Sequence, residues 1–235
     1  MNILTFVLFF VKSLIKMKKI RIGIELDHVI RNINNPIVKY YQQDYDNSVD
    51  LDEVDYGNDV LKTVCKFKSK KEMKEFLYEL YPLEIFGYAP QMDRGLSRDL
   101  NEWINTLSNE EEYDVEIFFY SLKEYSLTIQ STYFFLSKIG SRVRKVIFPK
   151  SIDELREEGD IFITANDEVV TKINKPTILI KTKFNQKNIS KAKCAYDSFR
   201  EFLDDKEKLN KIIYFYEPKK EGKASLAQKV KEFFN

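Results

Sequence analysis

Histidine occurs once in this chain, at His28, and cysteine twice, at Cys65 and Cys194. No Cys/His cluster with metal-ligand spacing can be drawn from three such scattered residues, which removes the zinc motifs. The distant cysteines suit free thiols in a reducing cytosol, so a cytoplasmic location is expected. With no Cys or Ser nucleophile near it, His28 reads as a packed or exposed side chain rather than a catalytic base. Gly-x-Ser-x-Gly and a Gly-rich phosphate loop are also missing, and with them the serine-hydrolase and P-loop chemistries. Seven glycines and six prolines argue against long flexible linkers, and a net charge of +1 excludes a general polyanion-binding surface.

Long hydrophobic runs are scarce. Ile3 to Val11 is too short to span a bilayer. It lacks the basic n-region and small-residue cleavage site of a signal peptide. Residues 1–16 leave three readings, in this order: an extension from an upstream start, a helix packed on the domain, and an interfacial membrane helix. Met17-Lys-Lys opens the first strand as a natural start would, and residues 1–16 are expected to be dispensable for folding.

What the chain does have is a 43% hydrophobic, 32% charged composition over 235 residues, enough for one globular domain with an insertion. The stretch from Lys18 to Asn32 organises it. Ile20, Ile22 and Ile24 alternate after two lysines and predict a buried strand. Glu25 and Asp27 follow, one residue apart on the strand and therefore pointing the same way. Val29 and Ile30 are apolar, Arg31 and Asn32 polar. An acid pair at the end of a first strand sits where open α/β sheets bind ligands.

Further along, Pro36–Gln43 has helical spacing. Residues 44–59 are acidic and 62–74 basic, as in a solvated, mainly helical insert. Asp44, Asp46, Ser48, Asp50 and Asp52 copy the alternate-oxygen spacing of a calcium loop, but Val49 and Asp55 stand where that loop needs Gly and Glu. Lys71–Tyr81 predicts an amphipathic helix with Met73, Phe76, Leu77 and Leu80 inward, which Pro82–Gly87 stops. Leu96–Leu107 is a second helix, and an acidic loop at 109–113 leads to a strand at Val115–Tyr120. Then come a helix over 125–139 and strands at Lys145–Phe148, Asp160–Thr164 and Thr177–Ile180, with short helices between them. Strands and helices alternating at this spacing predict a five-stranded parallel sheet covered on both faces. Residues 189–204 read as a helix, Lys211–Tyr216 as a strand and Ala224–Phe234 as a helix. Basic and aromatic residues interleave from Lys211 to Lys223, which a buried strand with a charged flank explains better than RNA binding.

In such a sheet, four strand ends converge: Glu25-Leu-Asp27, Ser121, Lys150 and Thr164-Ala-Asn166. Their order resembles the haloacid dehalogenase (HAD) superfamily, in particular members with a small helical cap after the first motif, such as the deoxyribonucleotidases. The resemblance covers about residues 18–185, including Gly159-Asp-Ile-Phe-Ile-Thr-Ala-Asn166 as the strand leading to the fourth motif. It implies a Rossmann-like core at 17–30 and 93–205, a cap at 31–92 that Tyr81–Gly87 leaves, and a tail with a helix at 206–235. It also implies phosphoryl transfer. An acid at position 25 would attack phosphorus, Asp27 would protonate the leaving group, Ser121 would hold a phosphoryl oxygen, and Lys150 would neutralise charge. Paired acids at 164–165 would complete an octahedral Mg²⁺ site with position 25.

The chain departs from that pattern at the chemistry. Glu25 stands for the attacking Asp, its extra methylene displacing the attacking oxygen. His28 replaces a Gly, and Thr164 and Ala165 replace the metal-binding acids. Asp167 falls at a helix start, where capping is the plainer role. Glu25 and Asp27 alone would hold Mg²⁺ weakly, if at all. The expectation is a HAD-like protein that has lost phosphoryl transfer and binds a protein partner or a small phosphorylated ligand, with no nucleic acid. A membrane is expected only if residues 1–16 form an interfacial helix. The alternative is a Mg²⁺-dependent phosphohydrolase of 5′-nucleotidase type using Glu25 and Asp27.

Overall fold

A computed structural model describes residues 18–57, 59–108, 112–122 and 126–217. The extension at 1–16, most of the acidic loop at 109–113 and the helix expected at 224–234 lie outside the described residues.

The first strand, β1 (Lys18–Glu25), is central in a six-stranded parallel sheet. Its partners are β2 (Tyr113–Tyr120), β3 (Lys145–Ile147), β4 (Ile161–Thr164), β5 (Thr177–Ile180) and β6 (Cys194–Tyr196). The order across the sheet is β3-β2-β1-β4-β5-β6, the Rossmann-like doubly wound arrangement. β1 runs in register with β2 from Lys18 opposite Tyr113 to Glu25 opposite Tyr120, and with β4 from Ile22 opposite Ile161. The order reverses between β1 and β4, so the crevice past their C-terminal ends is the topological switch point.

Alternation along β1 explains why it is central. Ile20, Ile22 and Ile24 are fully buried in one core cluster. Burying each stabilises the fold by about 1.5–3 kcal/mol. That face is covered by α4 (Leu96–Leu107), α5 (Ser126–Lys138), α8 (Phe199–Asp204) and α9 (Lys208–Tyr216), through Leu100, Trp103, Phe135, Phe202 and Ile212. The opposite face stacks Phe118, Tyr120 and Phe162 against Leu155 of α6 (Ile152–Glu158) and Val169 of α7 (Asp167–Lys172). Helices therefore cover both faces.

Between β1 and α4 the chain builds a separate apolar cluster that includes Ile37, Tyr41, Val60, Phe76 and Phe86. Its elements are α1 (Asn34–Asp44), α2 (Val60–Thr63), α3 (Lys70–Glu75) and two π-helical turns, Phe76–Leu80 and Leu83–Gly87. The acids of the calcium-like spacing serve the turns here. Asp46 accepts from the Ser48 N–H and hydroxyl, and Asp50 accepts from the Asp52 N–H.

Four sequence expectations are corrected. The sheet has six strands, because Cys194–Tyr196, read as helix, pairs with β5. Lys211–Tyr216, read as a strand, belongs to α9. Its apolar residues face the core at Ile212, while Tyr214 points outward. In the 71–81 helix Phe76 and Leu77 are buried but Leu80 is half exposed. Tyr81 N–H bonds to Phe76 O five residues back, and this wider turn rotates the later residues off the inward face. Finally, Asn166 rather than Asp167 caps α7, its side chain accepting from the Glu168 N–H. Among the described residues no helix is long and apolar enough to cross a membrane.

Candidate functional site at the end of the first strand

β1 stops at Glu25, and the chain then turns tightly. Leu26 N–H bonds to Tyr120 O, the N–H groups of Ile30 and Arg31 bond back to Leu26 O, and His28 takes a positive φ of 65°. Strand alternation therefore ends before Asp27, and the two carboxylates diverge instead of pointing the same way. Glu25 reaches toward the end of β4, Asp27 toward the end of β2.

The Glu25 carboxylate is 3% exposed. Its Oε2 accepts from the Thr164 hydroxyl at 2.6 Å and from the Ala165 N–H at 3.0 Å. Thr164 Oγ1 in turn accepts from the Asn166 N–H at 2.9 Å. The two positions that would carry metal-binding acids thus present donors, which complement a carboxylate and not a cation. Glutamate has the reach to meet them.

Asp27 is 1% exposed and is held on both oxygens. Oδ1 accepts from Arg31 Nε at 3.0 Å and Nη2 at 2.8 Å, and Oδ2 accepts from the Ser121 hydroxyl at 2.9 Å. Arg31 is itself fully buried. Its Nη1 donates to Thr132 Oγ1 of α5 at 2.7 Å and to Phe86 O at 3.1 Å, and its guanidinium lies over the rings of Phe86 and Phe135. A buried guanidinium with this many partners stays charged and complements the Asp27 carboxylate.

Of the residues named from sequence, Glu25, Asp27, Ser121, Thr164 and Ala165 converge at this edge. Lys150 is exposed, its backbone N–H bonds to Glu154 Oε2 at the start of α6, and its side chain makes no hydrogen bond to that edge among the described residues. Asp167 accepts from Asn188 Nδ2 at 2.8 Å and lines the cleft beside Glu25.

Sequence reasoning passed over Arg31 and Asn185. Arg31 had a signal, an acid four residues before it. Asn185 is fully buried and donates to the carbonyls of Ala165 and Ile180, tying the loops after β4 and β5 together. Nothing in its local sequence marks it. Tyr120 is also buried at this end of the sheet, and its hydroxyl makes no hydrogen bond to the described residues. Burial, and then the charge of Glu25, raise its pKa well above the ordinary phenol value.

A cleft of about 490 Å³ opens beside Glu25, with His28, Asp59, Lys62, Phe184 and Lys187 among its lining. The His28 ring meets Phe184 edge-on at 5.8 Å. Lys62 pairs with Asp59 at 2.7 Å across the mouth.

The Mg²⁺ that the resemblance implies does not fit this donor set. Magnesium asks for near-octahedral oxygen ligation and sheds water reluctantly. Both carboxylates here already accept from two or three donors, Thr164 and Ala165 offer no acid, and a guanidinium supplies the positive charge. Among the described residues no three His, Cys, Asp or Glu side chains gather as a metal site.

No protein-family model and no curated protein matches the chain. Among solved structures, one described as a haloacid dehalogenase-like hydrolase from Burkholderia xenovorans LB400 is 10% identical. It aligns over 82% of this chain and 99% of its own, with a TM-score of 0.47.

Proposed function

We propose that the protein is a HAD-like chain that has lost phosphoryl transfer and acts by binding a partner or a phosphorylated ligand. One observation carries this reading: the Asp27 carboxylate is closed by a buried Arg31 on one oxygen and by Ser121 on the other. An acid that must lend a proton in each cycle works when its pKa lies near the operating pH. A proton on Asp27 would compete with Arg31 and Ser121 for oxygens that already accept from them. The donors around Glu25 act in the same direction, since a hydroxyl and an N–H both engage its Oε2.

The alternative Mg²⁺-dependent phosphohydrolase requires both carboxylates to release these partners. Losing one electrostatic contact at a transition state typically costs about 2.7–4 kcal/mol of barrier, roughly a hundred- to a thousandfold in rate. Here the attacking Asp and the paired acids at 164 and 165 are replaced together, although such losses need not add.

The test is calorimetric titration of Mg²⁺ into the wild type and a Glu25→Asp, Thr164→Asp, Ala165→Asp variant, followed by assay of both on p-nitrophenyl phosphate. No turnover above buffer and metal binding only in the variant are expected. Wild-type turnover that Glu25→Ala abolishes would overturn the reading, as would equal Mg²⁺ binding by the two proteins.

A further inference from the structure

The interleaved basic and aromatic stretch from Lys211 onward is a nucleic-acid signal that a buried strand would silence. Lys211–Tyr216 is not a strand. In the helix α9, Ile212 turns to the core, Phe215 is half-buried, and Tyr214 stands 58% exposed. Tyr214 and Phe215 form one wall of a groove of about 670 Å³ at the edge of the sheet opposite to the carboxylates, where β5 and β6 begin. Lys175, Lys191 and Lys193 line it, and none of its nine lining residues is acidic.

The lysines divide by role. Lys175 Nζ donates to the carbonyls of Arg156 and Gly159 at 2.7 and 2.6 Å, which fixes its charge at the base of the groove. Lys191 and Lys193 are exposed, lie on either side of the turn into β6, and make no ion pair among the described residues. Other lysines do meet acids, as Lys172 meets Glu168 and Lys211 meets Asp205. A groove lined by three lysines, an outward-facing ring and no acid is a basic spot in a chain whose net charge is only +1.

We infer that this groove binds single-stranded nucleic acid, with phosphates on Lys191 and Lys193 and a base stacked on Tyr214. Lysine ammonium groups meet phosphates as point charges, and an aromatic face accepts any unpaired base. The volume suits a small-molecule-sized element such as one nucleotide of a longer strand. A duplex keeps its base faces stacked inside and offers Tyr214 no ring, so the single strand is preferred. The groove and the carboxylate cleft are at opposite edges of the sheet, so this inference does not depend on the fate of phosphoryl transfer.

Fluorescence anisotropy of the full chain with a fluorescein-labelled twelve-nucleotide oligo-dT, and with a twelve-base-pair duplex, tests it between 20 and 200 mM salt. The single strand should bind more tightly than the duplex. Two phosphate contacts predict a slope of log K against log salt of about −1.4. Lys191→Gln with Lys193→Gln should weaken binding and flatten that slope toward zero. Tyr214→Ala should weaken it about five- to 150-fold while leaving the slope unchanged. Tyr214→Trp, which keeps a stacking face and should keep the fold, should retain affinity. Absence of saturable binding at 20 mM salt, equal binding of duplex and single strand, or affinity untouched by the lysine changes would each overturn the inference. So would a folded Tyr214→Ala protein that binds as the wild type does.

Discussion

The residue that decides the character of the carboxylate edge is Arg31. It arrives through a tight turn that leaves only three residues between it and Asp27, and it then spans from the β1 end to α5 and the second π-helical turn. Removing one partner of a buried pair leaves the other charged and unpaired, at a cost of about 3–5 kcal/mol. Arg31→Met is therefore expected to lower the unfolding free energy by about that amount in urea titrations. The double change Arg31→Met, Asp27→Leu should recover much of it, because neither charge then remains buried. A single-variant cost below about 1 kcal/mol would mean that the pair is solvated and that Asp27 is freer than its burial implies.

At the scale of elements, β1 is fixed by two unlike faces. One is a row of isoleucines. The other carries Gly23 where the Phe118 and Phe162 rings approach, and a Cβ at Gly23 would lie 2.8 Å from atoms of both rings. Those rings meet edge to face at 6.4 Å and close the sheet against α6 and α7. Gly23→Ala forces them apart, and overpacking of this kind costs about 1–3 kcal/mol. Gly140→Ala is the matched comparison. It has φ of +65° and nothing within 4 Å, so only backbone strain of about 1 kcal/mol applies. Chemical denaturation of the two variants should rank Gly23→Ala as the more damaging. The reverse order would show that the aromatic face yields easily.

At the scale of the whole molecule, several buried groups among the described residues lean toward their neutral forms. The Cys65 thiol is pushed up to about 12 by burial and then by the charge of Asp59. The Tyr196 phenol is pushed up to about 12 by burial and then by its bond to Asp205. Tyr120 is raised well above its ordinary value. A raised folded-state pKa means that the folded protein holds its proton longer than the unfolded chain. The stability so contributed is complete below the unfolded values, about 8.5 for a thiol and 10 for a phenol, and is lost as pH rises through the folded ones. The melting temperature should thus hold near pH 8 and fall by several degrees between about pH 9 and 11. Cys65→Ala should melt lower at pH 8, from its cavity, but decline less steeply with pH. A flat profile to pH 11 would show that these groups titrate as they do in water.

How much of this was legible in the sequence follows from the range of the forces involved. Period-two runs of β-branched and aromatic residues carry their own signal, so β1 to β5 and the helix at Leu96–Leu107 could be read directly, as could the gathering of Glu25, Asp27, Ser121 and Thr164 at one sheet edge. Three-residue β6 carries no such signal. Only its pairing with β5 makes Cys194–Tyr196 a strand, and only the core under Ile212 makes Lys208–Tyr216 a helix with Tyr214 left outside. Divergence of the two acids came from a turn stabilised by hydrogen bonds after strand alternation had ended. Local pattern determined which residues reach the edge of the sheet. Long-range pairing and burial decided that Arg31 would neutralise Asp27 there, because a desolvated charge takes the partner that packing brings within reach.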